Sequence, residues 1–181
     1  SFEMRLRPGD SIDELNLPSS SGEKFDIKKI ENKRALITFY RFASCPFCNL
    51  RINEIVNRYS ELDSEFKMVA VFDSPLDNLI KQTKHHNAPF WILADEKYHY
   101  FEKFSVEKSF LKFLKGTIVR FHKLIIASLK GYVPLTFKGS VSTIPVDILI
   151  DENGKIDTIY YGRDTSDHLP FSKIKAFSNN K

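Results

Sequence analysis

The fold is decided by residues 35–52, which read ALITFYRFASCPFCNLRI. The first six of these residues are apolar, aromatic or β-branched, a pattern typical of a strand that is buried on both faces. After Pro46 the apolar residues recur at helical spacing, and a proline suits the first turn of a helix because its missing N–H would be unpaired there. The stretch therefore predicts a buried strand, a turn that carries Cys45 and Cys48, and a helix that begins at the cysteines.

The elements predicted outside this stretch complete an α/β pattern. Ser74 follows the second strand and is suited to cap a helix. Asn153 and Gly154 are a strong hairpin signal between the last two strands. The further predicted elements are strands at 68–72, 89–93, 146–150 and 156–161, a helix at about 108–130 and a last helix from about Ser166 or Pro170 to Phe177.

This order predicts a thioredoxin-like α/β fold, in which helices flank a mixed central sheet and a helical insertion precedes the late β-hairpin. We expect the 181 residues to form a single domain, with the insertion at about 105–135. The composition, 42% hydrophobic and 28% charged, is that of an ordinary globular protein and excludes disordered, collagen-like and disulfide-scaffold classes. The 16 Phe and 7 Tyr indicate a core that is rich in rings.

Charge and hydropathy limit the expected partners and location. A formal net charge of +4 is only a mild excess, and we expect no nucleic-acid partner. The longest apolar runs are too short for a bilayer-spanning helix, and the first residues lack the apolar stretch of a secretory signal. The expected location is therefore cytoplasmic. The sequence has no Gly-rich phosphate loop, so nucleotide binding is unsupported.

The two cysteines, Cys45 and Cys48, are the residues that indicate a chemical activity. They are the only cysteines and form a CxxC motif, which in a chain of this layout indicates a redox pair. A helix N-terminus lowers the pKa of a thiol, and two thiols at i and i+3 lie within disulfide range. The motif predicts reversible dithiol–disulfide chemistry, with both cysteines catalytic and no cofactor.

Three alternatives to this catalytic pair stay open at the level of the sequence. Half of a zinc site is one, although there are no further cysteines and the five histidines are scattered. Two inert core cysteines are another. The third is a non-enzymatic redox sensor or binding module whose surface is switched by the same dithiol.

Four further residues are candidates for the site. Arg41 is a positive group that would favour a thiolate, although an arginine at a strand end is often only solvated or salt-bridged. Ser44 is suited either to donate to a thiolate or to cap the helix. Thr143 and Pro145 stand just before a late strand, where a proline that cannot donate to the ladder must occupy an edge or a special turn.

The predicted helix at 108–130 is basic. Between Glu107 and Asp147 there is no acidic residue. We interpret the helix as a solvated basic face over a core-packed apolar stripe; contact with an anionic membrane surface or an acidic partner is a less favoured alternative. The apolar stripe consists of Phe110, Leu114, Ile118, Phe121, Ile125 and Leu129.

Four blocks of the sequence resemble those of peroxiredoxin-like proteins in the alkyl hydroperoxide reductase/thiol-specific antioxidant (AhpC/TSA) family. The first follows the pattern F-Y-R-x-x-x-C-P-x-C, and together the blocks span nearly the whole chain. The blocks are residues 38–50, 7–10, 144–151 with Gly154, and 161–170.

The resemblance implies a thioredoxin fold, an antioxidant role and thiol-based reduction of peroxides or disulfides. It also implies a cis proline at Pro145 that faces the cysteines. We expect Pro145, together with Thr143, Arg41 and Ser44, to shape the substrate site. The implied reductant is a protein of the thioredoxin or glutaredoxin type.

The sequence departs from the family pattern P-x-x-x-T-x-x-C. Aligned on Cys48, it has Arg41 in the place of the proline and Cys45 in the place of the threonine. Pro145 stands where an arginine of the family steadies the thiolate. Two assignments of roles therefore remain: Cys45 attacks and Cys48 resolves, as in thioredoxin, or Cys48 attacks peroxide and Cys45 closes the disulfide.

Overall fold

The computed structural model describes residues 5–41, 43, 45–106, 115, 118, 120–132 and 143–180. The elements are β1 (Asn16–Pro18), β2 (Lys24–Asp26), β3 (Ala35–Phe39), α1 (Pro46–Arg58), β4 (Lys67–Phe72), α2 (Leu76–Thr83), β5 (Trp91–Ala94), α3 (His99–Lys103), α4 (Phe121–Leu129), β6 (Val146–Ile150), β7 (Ile156–Tyr161) and α5 (Phe171–Asn179), with short 3₁₀ helices at Ile27–Ile30, Tyr59–Glu61 and Lys84–His86.

The central sheet is mixed, and the predicted thioredoxin-like α/β fold is confirmed. Within the described residues the strand order is β5-β4-β3-β6-β7. The strands β3, β4 and β5 run parallel, whereas β6 is antiparallel to β3 and to β7. All of β3 is buried at the centre of this sheet, as its unbroken apolar run predicts.

Neighbouring residues of β3 contribute to two separate cores, one on each face of the sheet. Leu36 belongs to the core that contains α1 and both cysteines. Ile37 belongs to the core that contains α3, because successive side chains of a strand point to opposite faces. Phe39 packs edge-on against Phe101 and Phe104, with ring centroids 5.1 and 5.4 Å apart. The predicted ring-rich core is thus present.

The predicted elements differ from the structure at several boundaries. The third strand begins at Trp91 rather than at residue 89, and the last helix extends to Asn179. The small β1–β2 hairpin is absent from the prediction. Of the predicted insertion at 105–135, residues 107–114, 116, 117, 119 and 133–135 lie outside the described residues.

The predicted packing of the basic helix is wrong over its described part. Helix α4 packs against α1, and the residue that it buries fully is Ala127, since a small side chain allows close approach of two helices. Phe121, Ile125 and Leu129 of the predicted core stripe are instead exposed. In the described part of the chain, no helix is both long and apolar enough to traverse a bilayer.

Gly162 joins the end of β7 to the segment before β6. Its N–H donates to the carbonyl of Pro145 over 2.9 Å. A Cβ on Gly162 would lie 2.8 Å from the carbonyl oxygen of Asp167 and 3.0 Å from that of Pro145, closer than van der Waals contact permits. This position therefore has no room for a side chain.

We expect Gly162→Ala to lower the free energy of unfolding by about 1–3 kcal/mol, the usual cost of overpacking, as measured by urea denaturation. The control is Asp157→Ala at an exposed position of β7, which should change stability by no more than about 0.5 kcal/mol. Equal losses of stability in Gly162→Ala and Asp157→Ala would contradict the close approach of Gly162 to the carbonyl oxygens of Asp167 and Pro145.

Candidate active site

The two cysteines lie at the first turn of α1, where the carboxyl end of β3 meets the helix. Cys45 is the N-cap residue and Pro46 the first helical residue. Both thiols are free and buried. The backbone N–H of Cys48 donates to Cys45 Sγ over 3.4 Å, so the sulfur of Cys45 takes the capping position that an oxygen usually fills.

Arg41 binds the sulfur of Cys45 directly. Its Nε and Nη2 donate to Cys45 Sγ over 3.1 and 2.8 Å, and its guanidinium lies 5.8 Å from the ring centre of Phe47. Arg41 is itself buried. A buried charge is costly unless it is paired and hydrogen-bonded, so this arrangement favours the anionic form of Cys45.

The environment gives the two thiols very different acidities. Burial raises the pKa of Cys45, but the hydrogen bond from the Cys48 side chain and the charge of Arg41 outweigh burial and lower that pKa to about 6. Burial and the neighbouring Cys45 raise the pKa of Cys48 well above its ordinary value. At neutral pH the pair therefore consists of a Cys45 thiolate and a Cys48 thiol that donates to it.

A set of polar side chains holds the loop before α1 in place. The Asn49 amide donates to the carbonyls of Ala43 and Cys45 over 3.0 and 2.8 Å. Ser74 accepts from the N–H of Ala43 over 3.0 Å. The prediction that Ser74 caps α2 is wrong, because its hydroxyl binds this loop and α2 has no side-chain cap. His86 Nε2 lies 2.6 Å from Asn49 Oδ1, and since that oxygen is an acceptor, His86 is the donor.

His86 is neutral in this position. Burial lowers its pKa to about 4, with a smaller contribution from His85. A neutral imidazole with a proton on Nε2 fits the contact with Asn49. The sequence prediction missed both residues, although Asn49 directly follows Cys48 and is buried in α1.

Thr143 and Pro145 lie at the same end of the sheet as the cysteines. The last residue pair of β3 and β6 is Phe39 with Val146, so Pro145 stands one residue beyond it, beside the strand end that leads to Arg41. The Thr143 hydroxyl is buried and interacts with Asp73 Oδ2 at 3.3 Å and with the Tyr98 hydroxyl at 3.4 Å.

The cis proline implied by the resemblance is not present. The described residues include the bond from Ile144 to Pro145 and contain no cis peptide bond. The trans form is intrinsically favoured by about 0.5–1 kcal/mol, and Pro145 leads directly into the extended strand β6. Ser44 lies outside the described residues, so its hydrogen bond to a thiolate remains a prediction.

A buried carboxylate lies behind the site, in the middle of the sheet. Thr38 donates to Asp147 Oδ1 over 2.6 Å, and the N–H of Leu169 donates to Oδ2 over 2.8 Å. His168 Nδ1 is 3.7 Å from Oδ2. The His168 ring in turn packs against Tyr40, with centroids 5.5 Å apart. This cluster joins β3, β6 and the segment before α5.

The sequence contained a signal for this cluster that the prediction did not use. Thr38 and Asp147 interrupt strands that are otherwise apolar, and a polar residue inside such a strand requires a buried partner. The antiparallel register places the two residues directly opposite each other.

A groove of about 600 Å³ lies beside the cysteine turn. Phe47, which separates the two cysteines, forms part of its wall. The other lining residues come from α1, from α4 with Arg120, and from the segment before α5: Leu50, Arg51, Glu54, Arg58, Arg120, Lys123, Ile126, Ser166, Asp167, His168, Pro170, Phe171 and Ser172. Within the described part of the chain, no group of three or more His, Cys, Asp or Glu side chains is placed to hold a metal ion.

Comparison with known proteins gives a consistent result. The model of the AhpC/TSA family matches residues 8–159. The peroxiredoxin Bcp of Escherichia coli strain K12 is 24% identical over 166 residues, which cover 90% of each chain. The structure of peroxidoxin BcpB from Mycobacterium tuberculosis superposes with a TM-score of 0.69 over 96% of both chains at 15% identity. That of the bacterioferritin comigratory protein from Xanthomonas campestris has a TM-score of 0.64, covering 90% of this chain and 88% of that one, at 13% identity.

We expect thiolate absorbance in Cys48→Ser to titrate with a midpoint below the ordinary thiol value, because the serine hydroxyl can donate in place of the Cys48 thiol and Arg41 remains bound to Cys45. In Cys45→Ser, the remaining Cys48 should stay a thiol beyond pH 9, because it is buried. The measurement is the ultraviolet absorbance of the thiolate as a function of pH. The reverse order of the two midpoints would contradict the pairing of Arg41 with Cys45.

Asp147 should make the stability depend on pH. Burial raises its pKa, but the interaction with His168, the charge of Arg51 and the Thr38 hydroxyl outweigh burial and lower the pKa from 3.8 to about 2. A carboxyl whose pKa is lower in the folded protein stabilises the fold above its unfolded value, and this contribution is lost as the pH falls towards the folded value. The gain at pH 7 is about 2 kcal/mol.

The variant Asp147→Asn should therefore unfold more easily than the wild-type protein at pH 7, and the difference should shrink between about pH 4 and pH 2. Urea denaturation across this range measures the effect. The control, Asp157→Asn at an exposed position, should follow the wild-type curve. If the difference in the free energy of unfolding between Asp147→Asn and the wild-type protein does not change with pH, the carboxylate charge is not the stabilising feature.

Proposed function

Because the chain belongs to the AhpC/TSA family, we propose that its CxxC dithiol reduces peroxides with Cys45 as the attacking thiolate and Cys48 as the resolving thiol. The protein is a thiol-dependent oxidoreductase of the peroxiredoxin type with an antioxidant role. The observation that carries the assignment of roles is the pair of hydrogen bonds from Arg41 to Cys45 Sγ.

The first step follows from the ionisation of the pair. The Cys45 thiolate attacks the terminal oxygen of the peroxide, the O–O bond breaks, and Cys45 becomes a sulfenic acid. The leaving alkoxide takes the proton of Cys48, whose thiol stays protonated until that moment because its pKa is raised. Arg41 is placed to stabilise the charge that moves from sulfur to oxygen.

The second step uses the thiolate that this proton transfer leaves on Cys48. It attacks the sulfur of the Cys45 sulfenic acid, an S–S bond forms, and hydroxide leaves. One peroxide is thereby reduced to one alcohol and one hydroxide while the dithiol is oxidised to a disulfide. The positions i and i+3 in the first turn of α1 suit this closure.

The alternative assignment has Cys48 as the attacking residue, by its place in the family pattern. The physical environment supports it less, because burial and Cys45 keep Cys48 protonated. Arg41 also offers an explanation for the departure from that pattern. Pro145 stands in the place of the arginine expected near the late strand, and the guanidinium of Arg41, which follows β3, supplies the positive charge beside the sulfur instead.

The burial of the two sulfurs favours a small substrate. Both cysteines are almost completely covered, so in the reduced protein a small peroxide reaches the sulfur more readily than a folded protein does. Reduction by a partner protein therefore requires that the disulfide form exposes one of its sulfurs. We infer that peroxides enter beside Phe47, from the groove between α1 and α4. The structurally similar protein of Xanthomonas campestris is described by its alkyl peroxide reduction activity, which is compatible with a small peroxide here.

We further propose that a dithiol protein of the thioredoxin or glutaredoxin type reduces the disulfide, by attack on one of its sulfurs and release of both thiols. Such reductants keep thiols reduced in the cytosol, where a CxxC dithiol of this kind can be recycled. These points support a cytoplasmic location.

The decisive experiment follows peroxide consumption in single turnovers of reduced wild-type, Cys45→Ser and Cys48→Ser proteins. We expect Cys48→Ser to consume one equivalent of hydrogen peroxide, with the sulfenic acid on Cys45 trapped by dimedone. Cys45→Ser should react no faster than free cysteine, because its remaining thiol is protonated. Both variants should lose steady-state turnover.

The variants also separate the proposal from its competitors. A single turnover that requires Cys48 and survives the loss of Cys45 would assign the attack to Cys48. Wild-type protein that oxidises once and does not turn over with thioredoxin or glutaredoxin would instead be a redox sensor. Circular dichroism of each variant verifies that the fold is retained.

A further inference from the structure

His86 lies outside the cysteine turn but binds the residue that follows Cys48. It ends the 3₁₀ helix Lys84–His86, which follows α2 directly. Asn87 comes next with a φ of 48°, in the left-handed region that asparagine adopts more readily than most residues. This turn brings a buried imidazole to Asn49 of α1, which is 37 residues away in the sequence.

The direction of each hydrogen bond at Asn49 follows from its partners. The carbonyls of Ala43 and Cys45 lie 3.0 and 2.8 Å from the amide nitrogen, and because a carbonyl only accepts, the nitrogen must face them. The amide oxygen therefore faces His86, and Nε2 of the ring carries the proton. The two N–H groups and the oxygen of this amide thus each have a partner.

Two further rings contact the ring of His86. The ring centroid of His85 is 4.1 Å away, and that of Tyr132, in the segment after α4, is 5.7 Å away. Only 7% of His86 is exposed. Such packing restricts rotation of the imidazole and keeps Nε2 directed at Asn49.

Without a donor from His86, the oxygen of Asn49 would be buried and unpaired. Asn49 is only 3% exposed, and a buried acceptor left without a partner costs more free energy than an ordinary hydrogen bond contributes. Rotation of the amide would relieve this cost, but it would break the hydrogen bonds to the carbonyls of Ala43 and Cys45. Because Cys45 is the N-cap of α1, the position of its sulfur beside Arg41 depends on that backbone.

We propose that His86 is a positioning residue for the attack of Cys45 on peroxide. Its N–H fixes the orientation of the Asn49 amide, and the amide fixes the backbone that carries the Cys45 sulfur. The described contacts of His86 are with Asn49 and with two aromatic rings, so its effect on the sulfur is indirect. The inference rests on the proposed function, in which Cys45 is the attacking thiolate.

The first test compares three uncharged side chains at position 86. In His86→Gln the amide nitrogen takes the place of Nε2 and keeps the donor. In His86→Asn the shorter side chain places its nitrogen where Nδ1 lies, so the donor to Asn49 is lost. His86→Phe keeps a ring against Tyr132 but has no donor, which separates the hydrogen bond from the packing.

The acidity of Cys45 is the first readout. In the Cys48→Ser background, ultraviolet absorbance follows the thiolate of Cys45 as a function of pH. The midpoint should rise by about 0.5–1 pH unit in His86→Asn and His86→Phe, the equivalent of one weakened hydrogen bond. It should stay at the value of the Cys48→Ser parent in His86→Gln, which restores the donor.

The rate of a single turnover with hydrogen peroxide is the second readout, measured with both cysteines present. His86→Asn and His86→Phe should react at least about tenfold more slowly than the wild-type protein at pH 7, because attack requires an aligned sulfur. His86→Gln should stay within about threefold of the wild-type rate. The matched control is His85→Asn, an exposed neighbour, which should change neither the rate nor the midpoint.

A double-mutant cycle tests whether His86 acts through Asn49. Asn49→Ala should raise the Cys45 midpoint by itself. The addition of His86→Asn should raise it no further, because the residue that transmits the effect is absent. Urea denaturation verifies that every variant is folded under the conditions of the assay, and His86→Phe serves in this cycle if His86→Asn is unfolded.

Three results would overturn the proposal. One is a wild-type midpoint and rate in His86→Phe. Another is an equal loss in His86→Gln and His86→Asn, which would assign the effect to the shape of the ring. The third is additive shifts in Asn49→Ala and His86→Asn. The absorbance readout needs no peroxide, so it tests His86 even if peroxide reduction by Cys45→Ser shows that Cys48 is the attacking residue.

Discussion

The contact between the Arg41 guanidinium and the Cys45 sulfur is the interaction on which the rest of the site depends. Both groups are buried, and in such surroundings neither charge is stable without the other. The hydrogen bond from the Cys48 side chain and the charge of Arg41 together lower the pKa of a thiol that burial would keep protonated, so that Cys45 is a thiolate at neutral pH. The same environment keeps Cys48 protonated. Burial, the cation and the hydrogen bond between the thiols thereby give two chemically identical residues different ionisation states, which the proposed reaction uses as nucleophile and proton donor.

The scaffold around this pair is built to hold it in place. The sheet delivers Arg41 directly after β3, and helix α1 presents Cys45 as its N-cap. Asn49 and Ser74 fix the backbone between them through carbonyls and an N–H. Such preorganisation lowers the reorganisation that a reaction requires. The strand, the helix N-cap and these hydrogen bonds therefore together fix the position of the Cys45 sulfur.

The predictions failed where a side chain had more than one possible partner. Serine is a common helix cap, yet the hydroxyl of Ser74 binds the backbone of the loop before α1. The stripe at Phe121 and Ile125 has the spacing of a core face, yet both residues are exposed and the residue that α4 buries is Ala127. Periodicity shows that residues share a face of a helix, but it carries no information on whether that face meets protein, water or a membrane.

The sequence by itself determined the strand, turn and helix around the cysteines, the mixed sheet and the presence of a reactive pair. These follow from the local spacing of apolar residues and from Pro46 and Gly154, which mark the start of a helix and a hairpin turn. Only the tertiary structure decided which cysteine is ionised and that Asp147 lies opposite Thr38. Ionisation depends on burial and on the distance to a charge, and both are set by residues far apart in the chain.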